Sequence, residues 1–216
     1  MRLLLDSSGP WLVCALADGE GVIVEARHAT GTPESRDIGA VAGRVLGELT
    51  AAELTAVVVG CGPGTFIGTR VALSYANGLA IAGSVPLHPV SSLAAICAVY
   101  CSGRSVVLRD ARRGEVYMHW PSGRAGSGVE DGCRLVELDG LARELVAAGI
   151  ETVVLEEPQP GLPRAAETLA RMQAAAGQAG ARVVRCDGVP AEGLRRMQAL
   201  AKRVEYAEPV YLRGFL

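Results

Sequence analysis

Lysine is almost missing from this chain: Lys202 is the sole lysine among 216 residues. A Walker phosphate loop ends in Gly, Lys and Ser/Thr, so that nucleotide motif is excluded. Aromatic side chains are 4 % of the sequence, and the formal net charge is −2. A protein that binds RNA unaided carries a basic field or stacking aromatics, so any nucleic-acid contact is expected to be shared with a partner. Long apolar runs are missing as well. No stretch reaches the roughly 20 residues of a membrane span, and Asp6 interrupts the apolar N-terminal run that a signal core would need. No membrane association is expected, and the cytoplasm is the expected address.

Groups that usually carry chemistry are also sparse. His28, His88 and His119 stand far apart, so no helical His-x-x-x-His metal pair exists. The six cysteines (14, 61, 97, 101, 133, 186) include no Cys-x-x-Cys; only Cys97 and Cys101 lie one helical turn apart. Two readings stay open for that pair: small buried hydrophobes in a reducing compartment, or a metal or redox role. There is no Gly-x-Ser-x-Gly elbow for a serine nucleophile. No catalytic residue and no metal-ligand set is assigned.

What is present is a globular composition, 50 % hydrophobic and 20 % charged, long enough for a sizeable core in one domain or two lobes. Strand-like runs at Arg2 to Asp6, Trp11 to Ala17 and Gly21 to His28 are separated by turn residues. A helix is expected to start at Thr32-Pro33-Glu34 and run to residue 49. A strand at Thr55 to Gly60, a glycine loop, a helix over 68–83, a short strand near Leu87 and a helix from Ser91 complete a first lobe, residues 1–101. A second lobe, 102–216, opens with a hairpin at Ser105 to Asp110 and Glu115 to Trp120. A glycine-rich loop over 121–132 follows, then helices at Leu138 to Ala148, Pro163 to Ala179 and Pro190 to Val204 alternating with strands at Thr152 to Glu156 and Ala181 to Cys186. The pattern is α/β.

The glycine loop, Gly62-Pro63-Gly64-Thr65-Phe66-Ile67-Gly68-Thr69-Arg70, joins strand to helix. Such a turn leaves backbone N–H groups at a helix N-terminus, so it reads either as a phosphate cradle or as a tight packing turn. Asp6, Gly62, Gly64, Thr65 and Gly68 are the residues a phosphate or nucleotide would touch. Asp6 is either a carboxylate near metal and phosphate or a turn carboxylate bonding Ser8 or Gly9; Asp110, before Gly114, carries the same ambiguity, and Arg112 and Arg113 either contact phosphate or solvate their turn.

Two helices look short of a neighbour. The first has Ile38, Val41, Val45, Leu46 and Leu49 on one stripe and Gly39, Gly43 and Gly47 on the other side. Each glycine inside a helix costs about 1 kcal/mol against alanine, and an aligned set lets another backbone approach. The second has Val71, Tyr75 and Leu79 on one face and Ala72, Ala76 and Ala80 on the next. Either the two helices pack only on each other and the sheet, or they present Gly39, Gly43, Gly47, Ala72, Tyr75, Ala76, Leu79 and Ala80 to another subunit.

The glycine loop resembles the Gly-Pro-Gly-Ser-Phe-Thr-Gly-Leu-Arg signature of the TsaB (YeaZ) family. Four further stretches match that family in order: Leu3-Leu4-Leu5-Asp6-Ser7-Ser8, Pro86-Leu87-His88-Pro89-Val90-Ser91-Ser92-Leu93, Asp110-Ala111-Arg112-Arg113-Gly114-Glu115-Val116-Tyr117 and Pro209-Val210-Tyr211-Leu212-Arg213. The resemblance implies an actin-like ATPase (ribonuclease H-like) fold in two lobes. It also implies a non-catalytic role in forming threonylcarbamoyladenosine at position 37 of tRNA. The implied partners are a TsaD-like catalytic subunit that meets the two helices, a TsaE-like ATPase, and a second copy of the chain, with tRNA reached only through the complex. ATP or ADP and a metal would sit on the partner, with no cofactor assigned to this chain alone. Ile67 and Thr69 depart from the family's Thr and Leu, and Glu34-Ser35-Arg36-Asp37 lacks the family's histidine, which puts side-chain ligand contacts there in doubt. Two other classes remain: an autonomous ATP-dependent phosphotransferase using Asp6, Gly64 and Asp110, and a homodimeric binding protein.

Overall fold

The computed structural model describes residues 1–31, 37–121, 132–158 and 163–210. The expected helix start at Thr32-Pro33-Glu34, the loop over 122–131 and the Tyr211-Leu212-Arg213 part of the closing motif lie outside them.

The first sheet contains β1 (Arg2–Asp6), β2 (Trp11–Ala17), β3 (Val22–Ala29), β4 (Ala56–Gly60) and β5 (Leu87–Val90), in the order β3-β2-β1-β4-β5. β1 to β3 form an antiparallel meander, while β4 and β5 run parallel to β1. The second sheet contains β6 (Ser105–Arg112), β7 (Glu115–His119), β8 (Cys133–Glu137), β9 (Thr152–Glu156) and β10 (Arg182–Cys186), in the order β10-β9-β6-β7-β8. Its wiring is the same: a meander from β6 to β8, then β9 and β10 parallel to β6. One supersecondary plan therefore occurs twice without a sequence repeat, as the actin-like two-lobe fold requires.

Helices α1 (Ile38–Leu46) and α2 (Phe66–Gly83) cover the outer face of the first sheet. α3 (Ser92–Tyr100) and α6 (Ala191–Gln198) lie between the sheets, and α4 (Leu141–Ala147) and α5 (Pro163–Gln178) cover the outer face of the second. Covering both faces is what makes the parallel strands read as unbroken apolar runs. With the two-residue period of a strand, Leu3, Leu5, Val57 and Val59 enter the outer core while Leu4 and Val58 enter the one between the sheets. That middle core also takes Val107 and Val154 from the second sheet.

Several expected boundaries shift. α1 begins after Asp37, whose carboxylate accepts the Ala40 N–H at 2.8 Å, and stops at Gly47, a C-cap with φ +60°. Gly47 is therefore a helix terminator, and only Gly39 and Gly43 carry a helix-interior cost, about 2 kcal/mol together. The helix expected to reach Val204 ends at Gln198. Beyond it the chain returns to the first lobe: Val204 bridges Leu87, Asn77 on α2 holds Ala207 by two bonds of 2.9 and 2.8 Å, and the Val210 N–H reaches the Cys61 carbonyl at 2.8 Å. Residues 191–210 thus pack with the first sheet although they follow the second in sequence.

Candidate functional site

The β1–β2 turn and the glycine loop are built into each other. Asp6 is fully buried; its Oδ1 accepts the Ser8 N–H and hydroxyl at 2.9 Å each, and its Oδ2 accepts the Ser92 hydroxyl at 2.5 Å. Ser92 Oγ in turn accepts the Gly62 N–H at 3.1 Å, and the Thr65 N–H goes to the Ser8 carbonyl at 2.7 Å. The glycines leave room for this contact. A Cβ on Gly60 would stand 1.8 Å from Asp6 Oδ2, one on Gly64 2.2 Å from the Ser8 carbonyl oxygen, and one on Gly68 1.9 Å from that of Ser7. Of the two readings open for the loop, close backbone packing accounts for Gly64 and Gly68, and Asp6 bonds within its own turn.

The second lobe meets this turn through Arg109 and its partner Glu156. Arg109, 4 % exposed, forms a bidentate pair with Glu156, both contacts 2.6 Å. Its Nη1 donates to Ser8 Oγ at 2.9 Å and to the Pro63 carbonyl at 2.7 Å. Burial works against the charge on Glu156 and raises its carboxyl, with Arg109 opposing; on Arg109 burial is outweighed by Glu156, which holds the guanidinium charged. A guanidinium does not deprotonate in proteins, and the fork geometry with two short contacts identifies an ion pair. The duplicated fold explains the placement. Leu5 pairs with Val59 and Leu108 with Leu155, so Asp6 and Gly60 in the first lobe correspond to Arg109 and Glu156 in the second. Sequence reasoning missed both residues; the signal was a charged residue directly following the buried apolar run of each of two strands.

A cleft of about 90 Å³ opens beside this pair, lined by Ser8, Gly64, Arg109, Tyr117, Glu157 and Met172 among others. Pockets that enclose small-molecule ligands usually run from about 300 Å³ upward. Asp110 closes its own turn by accepting the Arg112 N–H at 2.7 Å, and Arg112 and Arg113 adopt φ of 65° and 56° at the hairpin tip.

The two helices expected to meet a partner divide sharply. Ala72, Ala76 and Ala80 are buried in the outer core, so the structure removes them from any free surface; they let α2 sit close on β4. Tyr75 and Leu79 are half-buried against the same core, and Tyr75 lies 3.8 Å from where a Gly39 Cβ would stand, so Gly39 serves α1–α2 packing. Gly43 and Gly47 are exposed, with nothing near their Cβ positions. The outward face of α2 carries Ile67, 73 % exposed, Val71, Ser74, Gly78 and Ile81, 67 % exposed, at helical spacing. Phe66 lies beside it with the Arg70 guanidinium 3.7 Å from its ring centroid. Sequence reading singled out the alanine face because small residues stood out; periodicity alone does not say which apolar stripe of an all-round apolar helix meets the sheet.

Among the described residues no group of three or more His, Cys, Asp or Glu could hold a metal ion. His28 lies near Arg44 and His88 near the Ala201 carbonyl, while buried His119 has no partner for either ring nitrogen among the described residues. Among the described residues none of the three is hydrogen-bonded to a serine or cysteine, although His119 stands opposite Cys133 in the β7–β8 register. Burial pushes the Cys14, Cys61, Cys133 and Cys186 thiols up to about 12, and Cys97 is raised by its hydrogen bond with Cys101 and by burial. No helix among the described residues is long and apolar enough to cross a membrane.

The fold and this seam define an α/β protein of the actin-like two-lobe class, and comparisons with known proteins agree. A structure from Pseudomonas aeruginosa described as similar to the peptidase YeaZ superposes with a TM-score of 0.69 over 98 % of this chain and 99 % of that one, at 24 % identity. YeaZ of the same organism gives 0.69 over the same shares, at 21 % identity. The family model for TsaD, tRNA N6-adenosine threonylcarbamoyltransferase, matches residues 35–125. The full-length likeness shows that this chain shares the fold of the YeaZ structures. Among curated sequences, an uncharacterised protein of Mycobacterium leprae is 49 % identical over 79 residues, 37 % of this chain and 21 % of its own length. An uncharacterised protein of Mycobacterium tuberculosis is 43 % identical over 100 residues, 46 % of this chain and 45 % of its own length. The chain thus spans less than half the length of the curated relatives it matches.

Proposed function

We propose that this chain is a non-catalytic scaffold subunit that dimerises with a TsaD-like enzyme and is required for threonylcarbamoyl transfer to adenosine 37 of tRNA. The observation that carries the reading is the outward face of α2, where Ile67, Val71 and Ile81 stand exposed; Gly43 on α1 is also open, with nothing near its Cβ position. Single exposed apolar residues need no explanation, but a stripe of them on one helix does. The TsaD family match over 35–125 takes in both helices and makes a TsaD-like protein the partner of choice. A TsaE-like ATPase joins the same assembly, tRNA is reached only through it, and ATP or ADP and the metal reside on the partner in the cytoplasm. A second copy of the chain is the competing occupant of the face.

Phosphate contact at Asp6, Gly62, Gly64, Thr65 and Gly68 has no part in this reading, because Asp6 and the Gly62 and Thr65 N–H groups are spent within the chain. The same bonds, with the small cleft, weigh against an autonomous phosphotransferase. Peptidase chemistry finds no imidazole hydrogen-bonded to a nucleophile among the described residues: His119 stands opposite Cys133 without bonding it, and burial pushes that thiol up to about 12. The test is reconstitution: purified chain, TsaD-like and TsaE-like proteins of the same source, tRNA and the threonylcarbamoyl donor. The modified nucleoside should form only when this chain is included. Equal yield without it would reject the scaffold role.

A further inference from the structure

We propose that Arg109, clamped by Glu156, is an interlobe pin that fixes the glycine loop and through it the exposed first turn of α2. Arg109 is rooted in β6 of the second sheet, yet two of its four hydrogen bonds end in the first lobe, on Ser8 Oγ and on the Pro63 carbonyl. Pro63 precedes α2 by only Gly64 and Thr65, and Phe66 and Ile67 form that helix's first turn. Thr65 supplies no side-chain cap, so the start of α2 is held by the loop's backbone contacts. Glu156 orients the guanidinium by its fork, and its Oε1 lies 2.7 Å from where a Gly9 Cβ would stand, so the pair is wedged against the β1–β2 turn as well. Where the first lobe places Asp6 opposite a glycine, the second places a cation opposite a carboxylate and directs the spare donors across the seam. The duplicated position has become a joint between lobes.

This makes Arg109 a positioning residue, acting on α2 through the loop. It predicts that the local stability of the Ser8 turn and the glycine loop depends on Arg109 more than the rest of either lobe does.

The test is hydrogen–deuterium exchange by mass spectrometry on the full chain. Arg109→Lys keeps a charge for Glu156 but has no planar fork that can reach Glu156, Ser8 and Pro63 together. The double variant R109M/E156M removes both buried charges, which leaves global stability near wild type even if the single change folds poorly. In both, exchange of the Ser8, Gly62 and Thr65 amides, all hydrogen-bonded here, should rise about tenfold or more, equivalent to about 1.4 kcal/mol. Peptides from α4, β10 and β3 should stay unchanged. Unaltered exchange at the three amides, or a rise spread evenly over both sheets, would overturn the pin. The exchange result needs no partner, so it stands or falls apart from the scaffold reading; a weakened grip on the TsaD-like protein by R109K would connect the two.

Discussion

Replacing Ile67 by Asp and Ala76 by Glu, two and a half turns apart and on opposite sides of the same helix, should produce opposite phenotypes. Ile67 is 73 % exposed and Ala76 fully buried. Covering a whole isoleucine side chain stabilises by about 1.5–3 kcal/mol, so a partner that covers the exposed part of Ile67 gains about 1–2 kcal/mol. An aspartate forfeits that gain and adds the cost of desolvating a carboxylate, bringing the loss to about 2–3 kcal/mol. That is a roughly 30- to 150-fold weaker complex. The free chain should be unaffected within about 0.5 kcal/mol, as at other exposed sites. Glu at 76 must instead enter a core with no counter-charge, at a cost of several kcal/mol against a total stability of about 5–15 kcal/mol. The assay is paired: thermal unfolding by circular dichroism for both variants, then titration calorimetry against the TsaD-like protein. Wild-type affinity for I67D, or wild-type stability for A76E, would refute the orientation argued for α2.

Two glycines of that helix give a contrast of another kind. Gly68→Ala drives a Cβ against the Ser7 carbonyl and should destabilise by about 2 kcal/mol or more, whereas Gly78→Ala, with nothing within 4 Å, should stabilise by about 0.5–1 kcal/mol, both read by urea denaturation. Burial holds His119 down at about 4 from an ordinary 6.5. A depressed imidazole contributes stability that is present above pH 6.5 and lost as pH falls toward 4, a total of about 3 kcal/mol at 1.36 kcal/mol per unit. His119→Leu should flatten that acid limb of the stability profile; an unchanged limb would assign it to other groups. Of the six thiols only Cys101 and Cys133 are half-buried, and burial pushes the Cys133 thiol up to about 12, so native chain should show Cys101 reacting first with a disulfide reagent, Cys133 slowly, and all six after denaturation; more than two reactive thiols in the native protein would contradict the burial described.

Much of the first lobe is legible in the sequence because turns and apolar runs there are sharply punctuated. The β1 to β3 meander, the strand into the glycine loop and α2 lie within a few residues of expectation. β8 escaped because Cys133 to Glu137 is short and has no fully buried residue, which leaves little apolar signal. The return of residues 204–210 escaped for a different reason: it is held by Asn77 and by backbone bonds, which leave no periodicity. Gly64 and Gly68 were visible as a motif, but their purpose became clear only from the carbonyls of Ser7 and Ser8 opposite them. Arg109 and Glu156 are 47 residues apart and meet only through the parallel register of β6 and β9. Long-range charge pairing of that kind has no local signature.

The central claim is that α1 and α2 present a partner-binding face, and size-exclusion chromatography with light scattering tests it most directly. Mixed with the TsaD-like protein of the same source, the wild-type chain should elute at the summed mass, and I67D should elute apart from it while remaining folded. Separate elution of wild type, with nucleotide and metal present, would contradict the account.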